Sequence, residues 1–356
     1  MLDLNYFSKH PFSWEAKEKS LKLIKLINNL NRHHYNNCDK YKRILDSLSA
    51  SNTNLNSLED LPFLPVNLFK TVDLQSVADN KILRVMHSSG TTGLQKTKIF
   101  LDKENAAVQS KVLTKIVSDF IGTKRLPMLI IDNKDSLLGK NSFSAKTAAI
   151  RGFSIFAKKM TFAMNNSNQL DVEKIKDFHE KYKDQDIIVF GFTYSVYKDF
   201  LSNLKKYDIN ITFPKGILLH GGGWKKMEGE KIDNITFKQL VGKVTSIKKV
   251  HNYYGLIEQT GTIYMECEKG FFHASNFSDI FIRKRVSEKP VTNEKGMVQL
   301  ISPLATSYPG HNILTEDIGK IYGEDDCKCG RKGKYFKIFG RLEKSEIRGC
   351  SDTIIS

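Results

Sequence analysis

Residues His87 to Lys98, HSSGTTGLQKTK, gather hydroxyl side chains, an imidazole and two glycines ahead of two lysines. Gly90 and Gly93 let the backbone come close to a ligand and turn successive N–H groups toward one point, while Ser88, Ser89, Thr91 and Thr92 add hydroxyl donors. Lys96 or Lys98 supplies the neutralising charge. The chemistry such a loop suits is the holding of phosphate. Its spacing is not that of the P-loop nucleotidases, whose glycines stand further apart and whose second glycine runs straight into Lys-Ser/Thr. An ordinary polar surface turn is the alternative.

A second group of candidate ligands comes from the thiols. Cys327 and Cys329 form a C-x-C pair in DDCKCGRKG, and Cys267 and His273 frame the segment MECEKGFFH. Three thiols and one imidazole could make a closed Cys3His zinc site, structural because no position is left open for water; ordinary buried or loop cysteines are the alternative. Five cysteines, an odd number mostly late in the chain, argue against a disulfide framework and for reduced thiols.

These groups need a scaffold, and 356 residues with 40% hydrophobic content can bury one. No apolar run approaches the length of a membrane span and the N-terminus has no leader pattern, so a cytoplasmic protein is expected. The formal charge of +16 raises a nucleic-acid reading. Its lysines, however, are scattered in pairs among acidic residues, without helix-turn-helix or zinc-finger spacing, and no nucleic-acid partner is expected.

Along the chain, residues 14–31 read as an amphipathic helix with Leu21, Ile24, Leu26, Ile27 and Leu30 on its apolar side and a cap at Ser13. Leu61 to Lys70, with two prolines among apolar residues, reads as an extended connector. After the phosphate loop, helical patterns near 103–119, 144–150, 172–182 and 194–206 alternate with short apolar strands: Met128 to Ile131, Ile187 to Gly191, GILLHGG and KVHNYYG. Short all-apolar strands separated by helices predict an α/β fold with buried, largely parallel strands and functional groups at the strand ends.

The run Ser88 to Gly93 followed by Lys96 resembles the signature of the adenylate-forming superfamily, with Gln95 where that family prefers proline. The resemblance implies that ATP is gripped here while a carboxylate attacks its α-phosphate. It also implies roles for three later segments. HGGGWKK, His220 to Lys226, would present backbone amides of Gly221, Gly222 and Gly223 to a flat ligand, a tight structural corner being the alternative. NYYGLIEQTG is similar to the family's Tyr-Gly-x-Thr-Glu segment: Tyr253 or Tyr254, ahead of Gly255, would stack on adenine, and Glu258 would hold Mg²⁺. Ile257 replaces the usual threonine, whose contact Thr260 could supply. In LTEDIG, Asp317 would accept from the ribose hydroxyls.

GRLEKSEIRGC resembles the family's hinge at Arg341 and Lys344, yet the chain ends at Ser356, without the mobile C-terminal domain and its catalytic lysine. Lys96 and Lys344 are candidates for that lysine's work. The fold expected is the N-terminal domain alone: layered parallel-rich sheets flanked by helices, with a small β-rich subdomain. Residues 1–340 would be the AMP-binding domain, and 341–356 a hinge remnant and tail.

ILLHGGGWKK, YGLIEQTG and the chain length are similar to one branch, the LuxE-type acyl-protein synthetases, with phenylacetate-CoA ligases as next relatives. That branch implies an ATP- and Mg²⁺-dependent acid–thiol ligase. It would activate a fatty acid and transfer it to a cysteine near its own C-terminus, here Cys350, with Arg348 and Lys344 favouring the thiolate. An acyl-reductase or acyl-carrier protein would be its partner. Two alternatives stay open: an aryl- or aminoacyl-adenylating ligase acting on CoA or a carrier protein, and a non-catalytic nucleotide-binding subunit.

Overall fold

A computed structural model describes residues 6, 9–50, 54–88, 96–138, 145–224, 232–286 and 288–342. The chain divides into two compact units, one of Met1–Ile116, Gly255–Tyr264 and Phe271–Ser356, the other of Val117–Tyr254 and Met265–Gly270.

The second unit holds the α/β pattern that the short apolar runs predict. Leu126–Ile131, Ala157–Phe162, Ile187–Phe192, Gly216–Gly221 and Lys249–Tyr254 are all parallel, and the sheet runs second, first, third, fourth, fifth in chain order. This is a doubly wound order, in which ligands bind outside the carboxyl ends of the strands. Helices Ala145–Ser154, Val172–Tyr182 and Asn234–Thr245 supply crossovers. Two begin on aspartate caps: Asp171 accepts from Lys174 N at 3.2 Å, and Asp233 from Ile235 N at 2.9 Å and Thr236 N at 3.0 Å. The helical stretch after Ile187–Phe192 contains a π-helical segment, Val196–Leu201. Leu129, Val189, Leu218 and Val250 join Phe200, Phe213 and Phe237 in its core.

The first unit is built around an antiparallel sheet. Its order is Phe272–His273, Lys334–Arg341, Asn312–Glu324, Gly296–Ile301, Asp279–Arg283, and Leu64–Pro65 pairs in parallel with Ile313 and Leu314. The predicted connector thus supplies a short strand and then the helix Leu68–Thr71. A separate hairpin, Ile82–His87 with Lys98–Asp102, closes at the pair His87 and Lys98. Asp102 then caps the helix Lys103–Ile121 by accepting from Asn105 N at 2.7 Å.

The first helix runs Ala16–Asn37, longer than its pattern predicts. Its N-cap is Glu15 rather than Ser13, whose hydroxyl donates to His10 O instead. The buried stripe is Leu23, Ile27, Leu30, Asn31 and His34, while Leu21 is 63% exposed. Polar Asn31 and His34 continue the apolar stripe inward because partners await them. His34 bonds Ser76 Oγ at 2.8 Å and Ala305 O at 2.9 Å and stacks on His311 at 5.0 Å, and His311 Nε2 bonds Asn31 at 2.5 Å.

Candidate functional site

Ser88, Lys96 and Lys98 flank the phosphate loop. Ser89, Gly90, Thr91, Thr92 and Gly93 lie outside the described residues, as do Lys344, Arg348 and Cys350. The loop's base extends the hairpin: Ser88 N donates to Thr97 O at 3.3 Å and Thr97 N to Ser88 Oγ at 3.1 Å. Lys96 is exposed, and Lys98 pairs with Asp73 at 3.2 Å.

Buried Thr97 also donates from Oγ1 to Glu258 Oε1 at 2.8 Å. Glu258 sits in a helical turn, Ile257–Gln259, held by the Gln259 amide donating to Leu300 O at 3.0 Å and Gly310 O at 2.9 Å. Only 5% of Glu258 is exposed, so burial pushes its carboxyl up. Its own backbone N–H, the Thr97 hydroxyl and the charges of Lys70 and Arg341 pull it back down. A buried carboxylate with one hydroxyl partner is a hard oxygen donor of the kind Mg²⁺ takes. Thr260 spends its hydroxyl on Ile257 O at 2.8 Å.

In the second unit, both the glycine turn and the tyrosine pair stand at carboxyl ends of parallel strands, where the sheet order places ligands. A side chain at Gly221 would meet the Tyr253 ring at 2.7 Å and the Tyr253 carbonyl at 2.8 Å, so the glycine is required by close packing. Gly222 and Gly223 follow in the left-handed region, at φ 78° and 60°. His220 anchors the turn. Thr193 Oγ1 donates to Gly221 O at 3.1 Å, which leaves its oxygen to accept from His220 Nδ1 at 2.9 Å. Burial pushes His220 down to about 3, so the ring is neutral with its proton on Nδ1. Tyr253 is packed on Phe153 at 4.8 Å and Phe190 at 6.3 Å, and Tyr254 projects to the other face of its strand. Gly255 follows as an exposed residue.

Asp317 and Arg341 are register partners on adjacent antiparallel strands, and Arg341 Nε lies 3.5 Å from Asp317 Oδ1. Asp317 is a strand residue rather than a turn or cap. The strand ends at Arg341, and Leu342 N donates to Glu316 O at 2.8 Å.

Three of the four candidate metal ligands, His273, Cys327 and Cys329, belong to the first unit, where Cys329 Sγ lies 3.4 Å from His273 Nε2; Cys267 belongs to the second. Cys267 and His273 are fully buried and Cys327 nearly so. Each cysteine turn has the same local build: Cys267 O accepts from Gly270 N and Cys327 O from Gly330 N, both at 2.9 Å. Both glycines have positive φ, 79° and 83°. Three thiols and one imidazole are the donor set that a structural zinc takes.

A cavity of about 490 Å³ in the first unit is lined by none of these residues. Its floor is a charge-matched cluster in which Asp279 takes Lys334 at 3.0 Å and the buried Lys19 at 3.7 Å. That is the pattern of a structural ion-pair network. The buried polar side chain that motif reading passed over is Thr97, whose signal was its place directly behind Lys96.

The model of the acyl-protein synthetase family, LuxE, matches residues 1–356. Among curated proteins, the chain is 27% identical to a long-chain-fatty-acid–luciferin-component ligase of Aliivibrio fischeri, over 98% of this chain and 92% of that one. It is 21% identical to the protein of that name from Vibrio harveyi, over 97% and 90%. Among solved structures, its fold is similar to an open conformation of 2-hydroxyisobutyryl-CoA ligase bound to its acyl-AMP and CoA. That match has a TM-score of 0.72 and 14% identity, and covers 94% of this chain and 77% of the other.

Proposed function

The chain belongs to the acyl-protein synthetase family, LuxE, ligases that activate a fatty acid and transfer the acyl group, and we propose that its residues divide this work in two steps. In the first, an oxygen of the substrate carboxylate attacks the α-phosphorus of ATP; acyl-AMP forms as the bond to pyrophosphate breaks. In the second, a thiolate sulfur attacks the acyl carbonyl, the thioester forms and AMP leaves. Catalysis in the first step rests on positioning and on opposing the phosphate charge rather than on covalent help from the protein.

The observation that carries the assignment is Glu258, a buried carboxylate inside NYYGLIEQTG, hydrogen-bonded to the base of the glycine- and hydroxyl-rich loop. Glu258 holds Mg²⁺, which neutralises phosphate charge when bound. The loop residues Ser88, Ser89, Gly90, Thr91, Thr92, Gly93 and Lys96 bind the phosphates. Because Tyr253 is committed to Phe153 and Phe190, adenine stacking falls to Tyr254, with the amides of Gly221, Gly222 and Gly223 serving the same base. Asp317 accepts from the ribose hydroxyls, and Arg341 orients it. Cys350 is the thiol acceptor, which hands the acyl group on to an acyl-reductase or carrier protein. The Cys267, His273, Cys327 and Cys329 set would hold a structural zinc, which takes no part in the chemistry.

Exchange of labelled pyrophosphate into ATP tests the first step. Saturated long-chain acids should support it far better than short or aromatic acids, and should do so only with Mg²⁺. If no acid in the panel supports exchange, the assignment fails.

A further inference from the structure

Thr97 has three polar groups, and each has a fixed partner. Its N–H donates to Ser88 Oγ at 3.1 Å, its carbonyl accepts from Ser88 N at 3.3 Å, and its hydroxyl donates to Glu258 Oε1 at 2.8 Å. The residue is 1% exposed, so these bonds do not compete with bulk water. It stands at the point where the hairpin ends, one position beyond the paired His87 and Lys98, on one stem of the phosphate loop and bonded to Ser88 on the other. Glu258, 161 residues further on, is held from behind by the two hydrogen bonds of Gln259.

From this arrangement we infer that Thr97 is a positioning residue, joining the closed base of the phosphate loop to the magnesium-holding carboxylate. The inference rests on the assignment of Glu258 to Mg²⁺. A glutamate free to rotate must be ordered each time the metal–nucleotide complex binds, which costs side-chain entropy. Thr97 removes that cost by fixing one carboxylate oxygen in advance, which leaves the hydrogen-bonded carboxylate in a single orientation. The same residue makes the loop's position depend on the carboxylate's: a shift of the hairpin end moves the donor that Glu258 relies on. Valine keeps the shape of threonine but has no donor, whereas serine keeps the donor and loses only a methyl group.

The test compares Thr97→Val, Thr97→Ser and Glu258→Gln in the full chain by calorimetry. MgATP affinity and the affinity for ATP without metal are measured alongside amide exchange of residues 88–98 in the nucleotide-free protein. Thr97→Val should weaken MgATP binding several-fold, up to about tenfold, the effect of leaving one rotamer-rich side chain to be ordered on binding, and leave metal-free ATP binding unchanged. Its Ser88 and Thr97 amides should exchange faster, and in pyrophosphate exchange its magnesium requirement should rise more than its turnover falls. Thr97→Ser should return all four readings to within about twofold of wild type. Should valine not be accommodated, Thr97→Ala provides the same comparison with less bulk. Wild-type MgATP affinity in Thr97→Val, or failure of serine to restore it, overturns the role of Thr97 while Glu258→Gln still weakens MgATP. Wild-type MgATP affinity in Glu258→Gln overturns the magnesium assignment itself.

Discussion

Asp317 and Arg341 face each other across two antiparallel strands, and their side chains meet at 3.5 Å. Arg341 is 77% exposed, so the pair is screened by water and adds little to the fold. On the proposed assignment its value lies in holding Asp317 toward the ribose. Arg341→Ala should therefore leave the melting temperature within about 2 °C of wild type. In pyrophosphate exchange the same variant should raise the KM for ATP several-fold, and Asp317→Ala should raise it further. A melting temperature that falls steeply in Arg341→Ala would mean the pair is structural.

Gly221 lies against Tyr253 with no room for a methyl group, and one of the three atoms it would strike is backbone. Gly221→Ala should cost about 1–3 kcal/mol of stability, because the neighbouring strand must move. Urea unfolding measures that cost. Since the strand that moves also carries Tyr254, ATP affinity should weaken in parallel, and unchanged ATP binding would remove the glycine turn from the nucleotide site.

Buried histidines make the protein acid-sensitive. Burial holds His311 at about 3 and His34 well below its ordinary value, with neighbouring histidine charge adding to both. In the unfolded chain both return to about 6.5. The folded values are lower, so the unfolded state binds more protons between the two; stability is fully present above pH 6.5 and is lost as pH falls below it. At pH 5 the buried neutral His311 costs about 2 kcal/mol, and His34 acts in the same direction. The melting temperature should drop clearly between pH 7.5 and 5, and His311→Gln should flatten part of that drop. A melting temperature indifferent to pH over this range would contradict the neutral, buried state of the pair.

Zinc content is the plainest reading of the cysteine cluster. Protein purified without chelator should carry close to one equivalent, and Cys329→Ser, which removes the most exposed ligand, should lower occupancy and thermal stability together. Wild-type protein without zinc, even after incubation with the metal, would return the four residues to ordinary packing.

The parallel sheet was legible in the sequence through its central strands Leu126–Ile131, Ile187–Phe192 and Gly216–Gly221, which are buried along nearly their whole length and so read as short apolar runs, whereas the edge strand Ala157–Phe162, AKKMTF, is partly exposed and was not read as a strand. The antiparallel sheet was harder, since its long strand Asn312–Glu324 includes the polar run Thr315, Glu316 and Asp317, which carries no apolar pattern to mark a strand. Local chemistry was readable wherever one segment carries it: the glycine turn, the tyrosine pair and the C-x-C. What spacing could not supply was which segments meet. Nothing near Thr97 announces Glu258, and nothing near His34 announces Ala305, 271 residues away. The helix phase was misplaced at Leu21 for the same reason. Buried Asn31 and His34 lie on the true stripe but count as polar until their distant partners are known.

The central claim is that this chain makes an acyl-adenylate and moves the acyl group to a thiol of its own. Intact-mass measurement after incubation with ATP, Mg²⁺ and a saturated long-chain fatty acid tests it most directly. The wild-type protein should gain the mass of one acyl group, removable by hydroxylamine, while Cys350→Ser should release acyl-AMP and gain nothing. A wild-type reaction that yields neither acyl-AMP nor acyl-protein from any acid in the series would contradict the account.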